Sequence, residues 1–441
     1  MTPVLKKFIQ DFKTKKVLIF GLGLQGGGAG LATFFHQIGS LIRVTDLKPP
    51  SELQSSVDKL KKTNIELILG EHRQEDIEWA DVIIKNPAIP ADQPLLVKAH
   101  QSGKYVTMAA ALFLEYAQIK TIGITGTRGK STTTQLIYQL LKTEGFDVLL
   151  GGNIPDKPIL PLLKSIKTKD TIAIIELSSW QLNGFHQEKI SPSIAVVLNI
   201  YPDHLNRYKS IKDYINDKRA IVSYQNKANI AIINKQNYLA AKMSRGIKSK
   251  IIWFEESQFP NWQLNLPGKH NRENAAAAYT IAKLFNVSEI NMKQIFAKIT
   301  TLPMRLETIT TIKGVNIIND STSTTPTSVQ KAIQSIKPPI TLILGGETKK
   351  LPVARIAEDI NLRVANIILL SGSGTQEIKP HLEDKKIVGE FTDLEAAIKQ
   401  GLVVSPQNSS LLFSPGFTSF GMFKNEFDRG DQFNAIIKKL S

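Results

Sequence analysis

Twice in this 441-residue chain an apolar run stops on glycine and passes directly into a helix-like pattern. The first is KKVLIFGLGLQGGGAG, with its glycine turn from Gly21; the second is TIGITGTRGKSTTT, with its turn from Gly123. An unbroken apolar run reads as a strand buried on both faces. A strand that turns on glycine and continues as helix is the opening of a βαβ unit. Two such openings, each followed by further buried runs, restrict the chain to open α/β sheets.

The rest of the pattern falls into three segments. After the first turn comes LIRVTDLKPP, the second strand of a βαβ unit, and then ADVIIKNPAIP, a buried strand stopped by prolines. The second segment carries the strands TIAIIEL, SIAVVLNI and ANIAIIN, with helical patterns such as STTTQLIYQLLKTEGF that stops on Gly145. The third begins near Leu302-Pro303 and carries VNIIND, ITLILGG, ANIILLSGSG and SLLFSPG. Its strands end in Gly, Asp or Ser, where open α/β sheets bind ligands. The polar run Asp320–Ser328 follows a strand and is expected to be a loop. At roughly 150 residues per domain, the length agrees with about three domains.

Composition narrows the function classes. Hydrophobic residues are 42% and charged residues 21% of the chain, an ordinary globular balance. No apolar run approaches the roughly 18 residues of a membrane span, and the basic N-terminus lacks the apolar core of a secretory signal. With no cysteine, disulfides, thiolate metal sites and a cysteine nucleophile are excluded, and a cytoplasmic location is expected. The net charge of +16 fits either an anionic partner or lysines spread over solvated faces. Clusters such as Lys59–Lys62 lack interleaved aromatics, so neither nucleic acid nor membrane is expected as a partner.

Gly21, Gly23 and Gly26 match G-x-G-x-x-G between a strand and a helix, and Asp46 ends the next strand. Such glycines let backbone approach a nucleotide diphosphate, and the helix N-terminus favours its charge; the competing reading is a tight turn. Gly129-Lys130-Ser131 supplies a phosphate-binding lysine and a hydroxyl suited to Mg²⁺. The spacing departs from the standard phosphate loop: Ile124 stands five residues before Gly129, with glycines at Gly123 and Gly126 instead. Glu176 ends one strand, and Asp203 and His204 lie just beyond another, positions from which they can reach a metal or phosphate. In GKHNRENAAAA, Asn271 and Asn274 share a face at a helix start, either to read an adenine edge or to cap the helix.

Taken together, GITGTRGKST, GGNIP, ELSSWQL, PDHLNRY, YINDK, GKHNRENAAAA, LPMRLE, the NDS strand end and SPG…SFGMFKNEFDRGDQF resemble the Mur ligases. These are the ATP-dependent amino-acid-adding enzymes of peptidoglycan precursor synthesis. The resemblance runs through nearly the whole chain and is greatest to the glutamate-adding branch. It implies an α/β fold of three domains: a Rossmann-like UDP-substrate domain at 1–107, a central P-loop ATP-binding domain at 108–302, and a Rossmann-like amino-acid-binding domain at 303–441.

The resemblance further implies ATP and Mg²⁺ as cofactors, UDP-N-acetylmuramoyl-L-alanine and glutamate as substrates, and a monomer. Gly21, Leu22, Gly23, Gln25, Gly26, Asp46, Asn86 and Asn153 would hold the UDP substrate. Gly126, Thr127, Gly129, Lys130, Ser131, Thr132, Asn271, Asn274, Arg305 and Asp320 would bind ATP. Lys130, Glu176, His204 and Lys218 would be catalytic, with Ser131, Glu176, His204 and Lys218 around the metal; Lys218 matches the lysine that the family carbamylates. Thr324, Lys349, Ser419 and Phe420 would grip glutamate.

Three departures stand out. The usual NDSKATN reads NDSTSTT, so Thr322 replaces a common lysine; Glu426 replaces a common phenylalanine; Asn86-Pro87-Ala88 replaces Ser-Pro-Gly. The first two bear on D- versus L-glutamate. An NAD-dependent oxidoreductase would use the glycine turn and Asp46 but leave Lys130, Glu176 and His204 without a role. A nucleotide-binding protein without catalysis would leave those side chains, and Lys218, unused.

Overall fold

A computed structural model describes residues 2–24, 26–154, 157–204 and 207–441. Its strands form three sheets. The first contains β1 (Lys16–Phe20), β2 (Leu41–Asp46), β3 (Glu66–Leu69), β4 (Val82–Lys85) and β5 (Tyr105–Thr107), in the order β3-β2-β1-β4-β5. The second contains β6 (Lys120–Thr125), β7 (Val148–Gly152), β8 (Ile172–Glu176), β9 (Ile194–Val197), β10 (Ile230–Asn234) and β11 (Lys250–Phe254), in the order β11-β10-β9-β6-β8-β7. Every pairing in these two sheets is parallel.

The third sheet contains β12 (Glu307–Ile312), β13 (Val315–Asn319), β14 (Ile340–Gly345), β15 (Asn366–Leu370), β16 (Ile387–Phe391) and β17 (Ser410–Gly416), in the order β12-β13-β17-β14-β15-β16. It is mixed, because β12 runs antiparallel to β13 while the other pairs are parallel. The chain divides into two compact units. One comprises Met1–Ile200, Ile215–Gln258 and Ala276–Met292, with the first two sheets; the other comprises Tyr201–Tyr214, Phe259–Ala275 and Lys293–Ser441, with the third.

The apolar runs explain the layering. In the third sheet Leu342 and Leu344 pack into one core with Leu412 and Ile356, while Ile343 faces the opposite core with Phe413 and Phe433. Alternation along a strand thus feeds both faces, which helices cover. Each fully buried Leu or Ile contributes about 1.5–3 kcal/mol.

The polar run after β13 is only partly a loop. The helix Pro326–Ser335 starts inside it, where the Thr325 N–H donates to Ser328 Oγ at 3.2 Å and proline occupies the first turn. Proline there loses no helical hydrogen bond, so a run that reads as a loop by composition is also a good helix start. Among the described residues no helix is long and apolar enough to cross a membrane.

Candidate active site

In the first two sheets the glycine turns sit at topological switch points. The strand order reverses at β1 in one sheet and at β6 in the other, and open α/β sheets bind ligands at the carboxyl ends beside such reversals. Gly21 and Gly23 follow β1 with φ of +102° and +67°, values that an L side chain rarely adopts. The Gly23 N–H donates to Asp46 Oδ2 at 3.0 Å, and the Lys48 N–H donates to Asp46 Oδ1 at 3.0 Å. Asn86, just past β4, donates from Nδ2 to the Gly21 carbonyl at 3.2 Å. Asp46 and Asn86 therefore brace the turn. Leu22 is fully buried beneath it, Gly26 caps the helix Gly27–Gln37, and Gln25 lies outside the described residues.

The second turn opens the helix Lys130–Thr143, with Gly129 at its N-cap and Ser131 and Thr132 in its first turn. A helix start after a glycine turn favours an anion through its dipole and its first-turn N–H groups. Lys130 Nζ donates to the Gly126 and Thr127 carbonyls at 3.1 and 3.3 Å. Lys218 is 2% exposed, and its Nζ donates to the same Gly126 carbonyl at 3.1 Å and to Thr125 Oγ1 at 3.3 Å. Two ammonium groups thus share one carbonyl oxygen, an arrangement that an anion between them would relieve.

Glu176, at the end of β8, is 2% exposed. Its Oε1 accepts from Asn153 Nδ2 at 3.2 Å, while its buried Oε2 has no hydrogen-bond partner among the described residues. A desolvated carboxylate oxygen without a donor is costly unless a cation or ligand completes it. Among the described residues no group of three or more His, Asp or Glu could hold a metal ion. The donor chemistry fits Mg²⁺ nonetheless: a hydroxyl and one carboxylate suffice when phosphate oxygens and waters complete the shell.

In the second unit, Asp203 is the centre of a small network. It is 4% exposed, accepts from the His204 N–H at 2.8 Å, and pairs through Oδ1 with Lys349 Nζ at 3.3 Å. Lys349 also donates to Thr324 Oγ1 at 3.2 Å, so two residues expected to grip glutamate do meet. His204 sits in left-handed backbone with φ +56°. Ser419 is buried, whereas Phe420 is 60% exposed.

Asp320 receives the Leu306 N–H at 3.1 Å and the Ser414 hydroxyl at 2.7 Å, and Thr322 donates to the Met304 carbonyl at 2.9 Å. Both side chains tie the strand-end loop to the segment that holds Arg305. Asn271 and Asn274 are buried and bonded to each other at 3.0 Å, and Asn271 Nδ2 donates to the Pro267 carbonyl. They lie inside the helix Lys269–Leu284, and these bonds replace the capping role that their position also allowed.

Sequence reading missed two buried residues. Asn199, just past β9, clamps the second glycine turn through its side chain. Arg429 is fully buried and holds the NDS turn: its Nη2 donates to the Ser321 carbonyl at 2.8 Å and its Nη1 to the Phe417 carbonyl at 3.2 Å. Burial pushes the Arg429 guanidinium down to about 10, against the opposing pull of Glu426 and Asp320. Neither gave a distinctive signal: Arg429 stands between Asp428 and Gly430 in NEFDRGDQF, and Asn199 reads as one more asparagine past a strand.

Comparison with known proteins identifies the family. Residues 15–108 match the Mur ligase MurD-like N-terminal domain, 124–262 the Mur ligase middle domain, and 304–416 the Mur ligase glutamate ligase domain. The chain is 31% identical over 465 residues to a UDP-N-acetylmuramoylalanine–D-glutamate ligase of Roseiflexus sp. (strain RS-1), covering 97% of this chain and 99% of that one. It is 34% identical over 458 residues to the protein of the same name from Borreliella afzelii (strain PKo), covering 98% and 99%.

Among solved structures, the UDP-N-acetylmuramate–alanine ligase of Thermotoga maritima superposes with a TM-score of 0.65 at 16% identity, covering 97% of this chain and 100% of that one. MurF of Acinetobacter baumannii superposes with a TM-score of 0.62 at 17% identity, covering 97% and 91%. At such identities the structures speak for the fold alone. The sequence identity above 30% along nearly the full length of both chains makes this protein a member of the Mur ligase family.

Proposed function

We propose that this chain is an ATP-dependent ligase that joins D-glutamate to UDP-N-acetylmuramoyl-L-alanine in peptidoglycan precursor synthesis. The observation that carries the proposal is the full-length match to relatives bearing that activity in their names. The braced phosphate turn and the open carboxylate of Glu176 support it. We read the three sheets as the three domains 1–107, 108–302 and 303–441, acting as a monomer in the cytoplasm.

In the first step the alanyl carboxylate attacks the γ-phosphorus of ATP, ADP leaves, and an acyl phosphate forms. In the second, the glutamate amine attacks the acyl carbon, a proton is lost from nitrogen, and inorganic phosphate leaves the tetrahedral intermediate. The first step brings two anions together, so it needs charge neutralisation more than a base. Lys130 and Arg305 are assigned that role on the phosphates. Asn271 and Asn274 are assigned the adenine surroundings and Asp320 the ribose, with Gly126, Thr127, Gly129, Ser131 and Thr132 lining the phosphates. Mg²⁺, when bound, neutralises phosphate charge and polarises the phosphoryl oxygens. Ser131, Glu176, His204 and a carbamylated Lys218 are the residues that would hold it.

Carbamylation turns one of the two ammonium groups at the Gly126 carbonyl into an anion, which is the observation that favours it. Gly21, Leu22, Gly23, Gln25, Gly26, Asp46, Asn86 and Asn153 are assigned to the UDP substrate. Thr324, Lys349, Ser419 and Phe420 are assigned to glutamate.

Mass spectrometry of a reaction holding ATP, Mg²⁺, the UDP-amino-sugar acceptor and D-glutamate should show one glutamyl nucleotide per ADP. ATP binding without that product would leave the fold standing and remove the substrate assignment. For Lys218, the expected result is that Lys218→Ala is nearly inactive and regains activity with added acetate or formate. Indifference to the substitution would remove the carbamate.

A further inference from the structure

We infer that Asn199 is a positioning residue that holds the phosphate turn in its binding shape before any nucleotide arrives. The inference rests on the reading of this turn as the ATP phosphate site. Asn199 is 7% exposed and follows β9, the strand beside β6. Its side-chain amide engages Arg128 in both directions: the Arg128 N–H donates to Asn199 Oδ1 at 2.8 Å, and Asn199 Nδ2 donates to the Arg128 carbonyl at 3.1 Å. Its own carbonyl accepts the Thr127 N–H at 2.7 Å. Three hydrogen bonds from one residue thus fix three consecutive peptide units between Gly126 and Gly129.

The clamp is itself anchored. Ile200, the next residue, is held by a second two-way amide: its N–H donates to Asn237 Oδ1 at 3.1 Å, and Asn237 Nδ2 donates to its carbonyl at 3.4 Å. Asn237 in turn caps the helix Tyr238–Lys242, accepting the Ala240 N–H at 3.0 Å. Only an Asn-sized amide presents a donor and an acceptor together at this reach. A carboxylate would set an anion against the Arg128 carbonyl, and an apolar residue would leave both Arg128 groups without this partner. A turn with glycines at both ends is otherwise free to explore many shapes, and ordering it on binding would weaken the nucleotide's hold.

The test compares the full-length protein with Asn199→Leu, which is close in size and offers no hydrogen bond. Equilibrium titration with ATP and Mg²⁺ should show ATP affinity falling about tenfold, the scale of one to two net hydrogen bonds. Affinity for UDP-N-acetylmuramoyl-L-alanine should stay within about twofold of the parent, less than the change from losing one such bond. Unchanged ATP affinity, or an equal loss for both ligands, would overturn the positioning role.

Hydrogen exchange in the parent protein supplies a measurement that needs no folded variant. The Arg128 amide should be protected in the nucleotide-free protein, and exchange at the rate of an open loop would overturn the inference. A parent that fails to bind ATP at all would instead defeat the functional reading, while the exchange result would still decide the clamp.

Discussion

Three side chains carry the central functional assignments: Lys130, half-buried at its helix start, and Lys218 and Glu176, both 2% exposed. Lys130 Nζ donates to the Gly126 and Thr127 carbonyls, bonds that a phosphate would replace with charge-assisted ones. Lys130→Ala should therefore cut ATP-dependent phosphate release about 100-fold or more, the usual scale for a single electrostatic contact to a transition state. Release near the parent rate would remove it from the phosphate site. His270 makes a different kind of prediction. Burial, with Lys331 adding repulsion, pushes its imidazole down to about 4. The unfolded chain, titrating near the ordinary value of about 6.5, then binds more protons than the native one between those limits. Stability should fall as pH drops from about 6.5 toward 4, by on the order of 1–3 kcal/mol. Denaturant unfolding at pH 7 and pH 5 should show His270→Asn losing less than the parent; equal losses would assign the acid sensitivity elsewhere. At this scale sequence reading found the groups whose chemistry is distinctive, lysine after a glycine turn and acid at a strand end. It missed Asn199, because an amide that serves backbone looks like any other asparagine until its partners are known.

Among the elements, the strands set where chemistry can occur. Gly152 ends β7 at φ +108°, and a Cβ there would run into the backbone carbonyl of Glu176. Gly152→Ala should cost about 2 kcal/mol or more, combining left-handed strain with a clash that only backbone movement relieves. Because Asn153 N–H and Nδ2 both bond Glu176, at 2.8 and 3.2 Å, the same change should lower activity in protein that remains folded. Thermal unfolding and turnover of the variant check both effects. The buried strands β1, β6, β8, β9, β10, β14, β15 and β17 were legible because apolar residues dominate each and few charged ones interrupt them. β12 was not: ETITTI is half threonine, alternates weakly, and is a strand because β13 pairs with it through the Lys313-Gly314 turn. The helix at Pro326 was hidden in the same way, since Thr and Ser serve loops and helix starts alike.

For the whole molecule, three sheets and several ordered motifs made the architecture readable, while the division into two compact units could not be read from any segment. A net charge of +16 on a protein whose proposed substrates are all anionic should speed their encounter. The kcat/KM for the nucleotide substrates is therefore expected to decline as ionic strength rises past about 0.1 M, where screening shortens to roughly 10 Å. A flat profile would mean the charge is spread over surfaces that the substrates never approach. Thr322 and Glu426 lie in the third segment, and we propose that they bear on the amino acid that the protein accepts. The decisive measurement is phosphate release from ATP and Mg²⁺ with UDP-N-acetylmuramoyl-L-alanine, with D-glutamate and L-glutamate supplied in separate reactions. The account predicts release that requires D-glutamate and is lost in Lys130→Ala. Release with L-glutamate alone, or none with either despite bound ATP, would contradict it.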